Sequence, residues 1–317
     1  MSAFVAFWDD YFFEPWPAAR LAAARIALFA VVLWHYKSFS FAAPGRMPTE
    51  FYEPVGAFLW FDWPQPTEWA LNMVWMGFIL AALCALLGFG TRKSCAASAA
   101  GLWILLSARY SFGKVDHGGI IMIFAMVLLA AGPSGATLSV DAWWARRKAA
   151  WQGNESVLEP LAPAGGYAWP VRLLLLHLAL FYFFSGWSKV VASGFAWADG
   201  NALESYLLYR GVPLGVAIAN VPLLCMVLSV SALAFELTFP VGVLIKRLRV
   251  LFLLGGLGMH LGIWWTMDIV FKQTMLTYVV FVDWPRLGLA LQRLGRRTPK
   301  RATTLPEAPE ALRPRST

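Results

Sequence analysis

Apolar residues in this chain gather in long runs, separated by short segments that hold most of the charges and prolines. Runs of about 17–25 residues are long enough to cross a bilayer as helices. They lie at about 18–39, 69–90, 94–111, 117–132, 169–189, 214–244, 248–266 and 268–284. The pattern predicts an all-α integral membrane protein with about eight transmembrane helices.

The segments between the runs differ in kind. Residues 40–68 are rich in proline and aromatics, which indicates short helices lying on the outer surface. The stretch SVDAWWARRKAAW, within 133–168, segregates tryptophan from arginine and is typical of an amphipathic interfacial helix. Residues 298–317 are rich in proline and charge and are predicted to be disordered. We therefore divide the chain into a transmembrane domain, 1–297, and a cytoplasmic tail, 298–317.

Charges in the connecting segments predict the orientation. Basic residues cluster in every second segment: Arg92, Lys93, Arg146, Arg147, Lys148, Lys246, Arg247, Arg249 and the tail. Acidic residues dominate the alternate segments: Glu50, Glu53, Asp62, Glu68, Asp116, Asp199, Glu204 and Asp268. By the positive-inside rule, both termini are cytoplasmic. We expect a multi-pass protein of the bacterial inner or plasma membrane.

Composition excludes several classes of function. The chain is 59% apolar and only 14% charged, far from the balance of soluble domains. Its three cysteines lie in apolar runs without paired spacing, which excludes a disulfide framework or a CxxC zinc motif. The net charge of +8 is explained by the topology signal and requires no nucleic-acid partner. The P-loop, dinucleotide and HExxH motifs are absent from the sequence.

A lysine interrupts the apolar run at 169–189 close to its predicted outer end. A charge at that depth marks a candidate functional site unless it snorkels to the headgroups. Tyr182, Ser185 and Lys189 are spaced i, i+3 and i+7 and so share one helix face. Glycines near Lys189 and near His260 remove side-chain bulk, so we predict that the two residues face one cavity open to the outer leaflet.

Other titratable residues fall at two depths. His35, His117 and His260 lie towards the predicted outer ends of their runs. Arg25, His177 and Glu236 each lie about eight residues, roughly 12 Å, from the inner ends. Because buried charges need partners, we predict a structural ion pair of Arg25 with Glu236, with His177 as a third member.

Motifs spread over about residues 16–284 resemble those of the HTTM family, whose best-known member is vitamin K-dependent gamma-carboxylase. The matching stretches are Arg25-Ile-Ala-Leu, His117 followed by Ser139-Val-Asp141, Tyr182-Phe-Phe-Ser-Gly186-Trp-Ser-Lys189, Trp197, Gly200-Asn-Ala-Leu203, Glu236-Leu-Thr-Phe-Pro240, His260-Leu-Gly-Ile and Phe271. The resemblance implies that Lys189 is the base that deprotonates a reduced quinone and that His117 lies in the same active site.

Two departures from the carboxylase argue against peptide carboxylation. The carboxylase has a large soluble region after its spans, whereas this chain ends in a short tail, and Ser188-Lys189 stands where the carboxylase has paired lysines.

The first hypothesis is a membrane-embedded, enzyme-like protein with an outward-facing site. Neutral Lys189, its pKa lowered by desolvation, would act as general base toward a lipid quinol such as reduced vitamin K. His117 and His260 would hydrogen-bond the substrate oxygen. The residues expected to orient the base or line the substrate site are Tyr182, Ser185, Trp197 and Trp264.

Two alternatives stay open. His35, His117 and His260 are candidate ligands of a metal, although no spacing motif supports one and we expect none. A non-enzymatic accessory protein for peptide or toxin maturation or export would instead hold a peptide or protein at its outer face, through residues 45–68.

Overall fold

The computed structural model describes residues 2–113, 115 and 118–296. His117 and the tail 298–317 lie outside the described residues, so the catalytic role of His117 and the disorder of the tail stay predictions. The described part contains fourteen α-helices. In chain order they are α1 (Ala3–Phe13), α2 (Ala18–Tyr36), α3 (Ala57–Trp60), α4 (Glu68–Leu87), α5 (Thr91–Tyr110), α6 (Gly118–Ala131), α7 (Val140–Trp151), α8 (Trp169–Ser193), α9 (Asn201–Arg210), α10 (Pro213–Ala219), α11 (Pro222–Leu244), α12 (Arg249–Met267), α13 (Lys272–Thr277) and α14 (Trp284–Arg296).

Short 3₁₀ helices occupy several connections, and the described residues form no β-strand beyond one isolated bridge between Trp16 and Ala164. The 3₁₀ segments are Ala43–Arg46, Thr49–Phe51, Glu155–Val157, Gly165–Tyr167, Ala196–Asp199 and Tyr278–Phe281. The all-α fold class is therefore confirmed. The predicted short helices within 40–68 and the helix at SVDAWWARRKAAW, now α7, are also present.

Five of the described helices are long and apolar enough to cross a membrane: α2, α4, α8, α11 and α12. Helix α5 has 20 residues but a less apolar composition, and α6 is apolar but has 14 residues. The chain is an integral membrane protein on these grounds. The full count of eight spans and the cytoplasmic termini stay predictions.

Two of the predicted spans are not single helices. The run 214–244 is divided into α10 and α11 at Asn220 and Val221, because Pro222 begins a new helix. The run 268–284 contains only α13, of six residues, and the 3₁₀ turn that follows it. Asp268 starts this break in the left-handed conformation, at φ 51°. The prediction of one continuous spanning helix at 268–284 is therefore wrong.

The helix ends follow ordinary capping chemistry. Thr67 accepts a hydrogen bond from the Ala70 N–H and so begins α4, and Ser139 does the same for α7 through Ala142. Gly88, at φ 71°, ends α4 in the left-handed conformation and turns the chain directly towards α5.

A buried apolar core joins α2, α4, α5, α6 and α8. Its fully buried large residues include Leu21, Leu28, Phe29, Leu71, Phe78, Leu102, Leu105, Met122 and Met126. By contrast, α12 buries little of its surface and exposes Val250, Leu251 and Leu254. Such an exposed apolar face suits contact with lipid chains rather than water.

The chain forms two compact units, residues 1–282 and a C-terminal segment that begins at Asp283 and contains α14. The boundary predicted between residues 297 and 298 lies outside the described residues.

Candidate functional site: a Lys–Glu ion pair between two helices

Lys189 on α8 forms an ion pair with Glu236 on α11. Its Nζ lies 2.6 Å from Oε1 and 2.5 Å from Oε2 of Glu236. The lysine side chain is 23% exposed and the glutamate side chain only 7%. The Lys189 ammonium is therefore directed at a buried carboxylate on the neighbouring apolar helix.

Two further side chains complete the surroundings of the pair. Ser185, one turn before Lys189, donates a hydrogen bond of 3.2 Å to Glu236 Oε1. The ring of Trp197 faces the ammonium, with its centroid 4.8 Å from Nζ, a cation–π contact. The ammonium thus has a carboxylate on one side and an aromatic ring on another.

A glycine allows the two helices to approach at this level. A Cβ added to Gly186 would lie 2.9 Å from Glu236 Cβ and 3.3 Å from the Leu237 side chain. Tyr182, one turn earlier on α8, stacks on Phe239, so the contacts run in opposite directions along α8 and α11. The helices are therefore antiparallel, and Glu236 lies level with Gly186.

A second polar group lies along the same face of α8. The Tyr182 hydroxyl is 2.9 Å from His260 Nε2 on α12 and 2.9 Å from the Tyr278 hydroxyl. All three residues are buried, with exposures of 5–8%. Gly256 makes room for them, since a Cβ there would lie 2.3 Å from the Tyr278 oxygen and 2.8 Å from the Tyr182 oxygen.

The face formed by Tyr182, Ser185 and Lys189 is thus brought together as its spacing predicts. Tyr278 was missed, because it lies in the irregular part of the chain that the sequence pattern presents as a span. Its only signal is a polar hydroxyl inside an apolar run, and several tyrosines of this sequence share that feature.

The predicted pair of Arg25 with Glu236 is wrong. Glu236 pairs with Lys189, while the guanidinium of Arg25, fully buried, donates to the Leu138 carbonyl at 2.5 Å. His177 is not a third member, because its ring packs on Phe124 at a centroid distance of 4.3 Å. The prediction placed Glu236 at the depth of His177 by counting residues from the inner helix ends. This count fails because α8 and α11 do not end at the same level.

Arg25 instead supports the connection between α4, α5 and α7. Asp141 accepts hydrogen bonds from the Gly90 N–H, at 2.8 Å, and from the N–H and hydroxyl of Thr91, both at 2.7 Å. Burial raises the pKa of Asp141, but these hydrogen bonds and the nearby charge of Arg25 outweigh it and leave the pKa below its usual value. The Ser139-Val-Asp141 motif is therefore a structural cap.

The other predicted site residues are dispersed. Trp264 lies on α12 and is 41% exposed, and its role in binding stays a prediction. His35 lies at the end of α2 beside Tyr36, at a ring centroid distance of 4.5 Å. Among the described residues, no group of three or more His, Cys, Asp or Glu side chains is arranged to hold a metal ion.

Two clefts are found elsewhere on the molecule. One, of about 570 Å³, is bordered by the start of α5 and the α6–α7 connection; the other, of about 280 Å³, lies between residues 37–41 and α4. Neither is lined by Lys189 or His260. A cavity shared by those two residues therefore stays a prediction.

Comparison with known proteins identifies the family of the chain. The family model described as the HTTM domain matches residues 13–285, which is most of the chain. The chain belongs to the HTTM family. No curated protein and no solved structure matches it. The matched region of this HTTM protein includes both Lys189 with Glu236 and the group formed by Tyr182, His260 and Tyr278.

Proposed function

We propose that this HTTM protein is a membrane-embedded enzyme that removes a proton from a lipid quinol, or from a similar weakly acidic hydroxyl, with Lys189 as the proton acceptor. The observation that supports this most is the pair of Lys189 with Glu236, held between two apolar helices of spanning length. A charged pair in such a place is expensive, so it marks a functional site.

Glu236 changes the role first expected for Lys189. Glu236 Oε1 lies 2.6 Å from the Lys189 nitrogen, which is hydrogen-bond distance, so a proton can pass directly between the two groups. Glu236 is therefore the group that accepts the lysine proton and generates the amine.

The Lys189 ammonium gives one proton to the Glu236 carboxylate, and the resulting amine takes the proton of the substrate hydroxyl. The site then holds an ammonium, a protonated carboxyl and a substrate oxyanion, so the total charge is unchanged. The ammonium beside the oxyanion stabilises the charge that develops there.

The neighbouring residues have separate tasks in this proposal. Ser185 holds Glu236 in position through its hydrogen bond. Trp197 offers an aromatic face beside the reacting nitrogen, against which an apolar ring can stack. His260, Tyr182 and Tyr278 provide imidazole and hydroxyl groups that can hold a second oxygen of the substrate.

The experiment is turnover of a reduced quinone by the purified protein in lipid nanodiscs. Menaquinol and vitamin K hydroquinone would be supplied with oxygen, with and without carbon dioxide, and the products would be followed by chromatography. Lys189→Met and Glu236→Gln should each lose about a hundredfold or more in rate. Lys93→Met, at an exposed lysine of α5, is the matched control. Full turnover by Lys189→Met would exclude the proposal.

A second candidate function is favoured by a different observation. Residues 51–63 expose several large apolar side chains: Phe51 (65%), Leu59 (61%), Trp60 (76%), Phe61 (55%) and Trp63 (40%). Such a surface can hold a peptide or protein partner, as an accessory protein for maturation or export requires. Loss of function by Trp60→Ala together with retention by Lys189→Met would favour this candidate over the enzyme.

A further inference from the structure

The described part of the C-terminal unit, up to residue 296, forms an amphipathic helix, α14. Asp283 begins it by accepting a hydrogen bond from the Arg286 N–H at 3.2 Å, and Pro285 lies in its first turn. The Asp283 carboxylate also pairs with the Arg286 guanidinium at 3.4 Å. The helix therefore begins at a defined residue, which fixes the side chains that lie on each of its faces.

The two faces of α14 differ in chemistry. Trp284, Leu287, Leu291 and Leu294 are spaced i, i+3, i+7 and i+10 and form one apolar face. All four are exposed, by 37%, 42%, 59% and 62%. Arg286 and Arg293 lie on the opposite side, where Leu289 is also found, 54% exposed.

The length and the charge of α14 indicate the kind of surface that it can contact. Thirteen residues extend about 20 Å, which is too short to span the hydrocarbon core. The sequence is strongly basic from here on, with no acidic residue between Asp283 and Glu307. The basic residues in that interval are Arg286, Arg293, Arg296, Arg297, Lys300 and Arg301. An apolar stripe beside a cationic face is complementary to a bilayer surface that carries negative headgroups.

We propose that α14 lies in the interface of an anionic bilayer, with the Trp284–Leu294 face in the acyl boundary and the arginines on lipid phosphates. This attachment is independent of the pair on α8 and α11 and needs no catalytic role for the protein. It gives the chain a preference for membranes rich in anionic lipid.

The test uses the full chain with Cys84, Cys95 and Cys225 replaced by alanine, reconstituted in two kinds of vesicle. One contains phosphatidylcholine alone and the other adds phosphatidylglycerol. A spin label is attached to Leu291→Cys in one sample and to Leu289→Cys in another. Both changes replace a leucine, and the two positions point about 200° apart, so each is the matched control of the other. Accessibility to oxygen and to a water-soluble nickel complex is then measured.

In vesicles with phosphatidylglycerol, the label at position 291 should be reached by oxygen and protected from nickel, and the label at 289 should show the reverse. The contrast should shrink several-fold in phosphatidylcholine alone, and Arg286→Gln with Arg293→Gln should reduce it in the anionic vesicles. Equal nickel access at both positions would overturn the proposal. So would protection of position 291 from both reagents, which would mean that protein, from this chain or another copy, covers the apolar face.

Discussion

At the scale of single residues, the central feature is the ion pair of Lys189 with Glu236 between two apolar helices. Taking one charge out of water costs several kcal/mol, and a partner at hydrogen-bond distance offsets most of that cost. The two residues therefore depend on each other for the stability of the fold as well as for any chemistry.

The pair can be tested by a double-mutant cycle. Lys189→Met leaves a buried carboxylate, which should lower the free energy of unfolding by about 3–5 kcal/mol; Glu236→Gln leaves a partly buried ammonium and should lower it by less. The double variant removes both charges and should recover most of the loss. Thermal unfolding in detergent measures all four proteins.

The exposed pair of Arg46 with Glu68 is the control, because its side chains are 68% and 39% exposed. Surface pairs contribute little, so Arg46→Met should leave the unfolding temperature nearly unchanged. If the double variant at 189 and 236 is no more stable than the two single variants, the residues are not coupled.

The sequence alone did not predict that Glu236 is the partner of Lys189. Spacing alone predicts that Tyr182, Ser185 and Lys189 share a face, because the helical period fixes it. Depth counted from helix ends does not predict Glu236, because the neighbouring ends of α8 and α11 lie at different levels. Gly186 is level with Glu236, and beyond this level α8 extends only to Ser193. The antiparallel α11 extends much farther in that direction, to its first residue, Pro222. In addition, side chains lean towards the start of their own helix, which brings Lys189 back towards the level of Glu236.

At the scale of elements, close contacts at glycines position the two polar groups. Gly256→Ala on α12 should destabilise the protein by about 1–3 kcal/mol, because its Cβ would overlap the hydroxyls of Tyr182 and Tyr278. Gly258→Ala is the matched control on the same helix, since a Cβ there meets no atom within 4 Å. Unfolding temperatures of the two variants should differ clearly, and equal values would show that Gly256 is not a packing contact.

The attachment of α1 predicts a dependence on pH. Glu14, just after α1, pairs with Arg172 of α8 and with Lys246 at 2.6 Å. Burial raises the pKa of Glu14, but these partners outweigh it and lower the pKa to about 2. Since the folded-state pKa lies below the ordinary value of 4.5, the stabilisation is complete above about pH 4.5 and is lost as the pH falls towards 2.

Glu14→Gln should therefore lower stability by about 1–2 kcal/mol at neutral pH, with a difference from the unaltered protein that narrows steadily below pH 4.5. Unfolding by denaturant across this pH range measures it. Glu159→Gln, at an exposed glutamate in the connection before α8, is the control and should show no such narrowing. A constant difference between Glu14→Gln and the unaltered protein at all pH values would contradict the assignment.

The helices themselves were largely predictable, and the exceptions have physical causes. Apolar runs mark α2, α4, α8, α11 and α12 because only helices satisfy backbone hydrogen bonds in lipid. The run 268–284 is also rich in apolar residues, but after the interruption at Asp268 it forms only the six-residue α13 and the 3₁₀ turn that begins at Tyr278. Irregular backbone is tolerated there because Tyr278 and Val280 are buried in protein.

At the scale of the whole molecule, the loop charges predict that both termini are cytoplasmic. The test uses Ser193→Cys at the end of α8 and Gln152→Cys after α7, in a background in which the native cysteines are alanine. Both positions are exposed, so any difference in labelling reports the side of the membrane. An impermeant thiol reagent added to intact cells should label position 193 and not 152. The opposite result would reverse the orientation.

The most direct test of the central claim is whether substrate moves a proton onto Glu236. Infrared difference spectra of the reconstituted protein, recorded as quinol replaces quinone, report protonation of a carboxylate as a new carboxylic-acid band. This band should appear with quinol and should be absent in both Glu236→Gln and Lys189→Met, while Lys93→Met should retain it. A band that persists in Glu236→Gln, or a spectrum with no carboxylic-acid change in the unaltered protein, would contradict proton transfer through the Lys189–Glu236 pair.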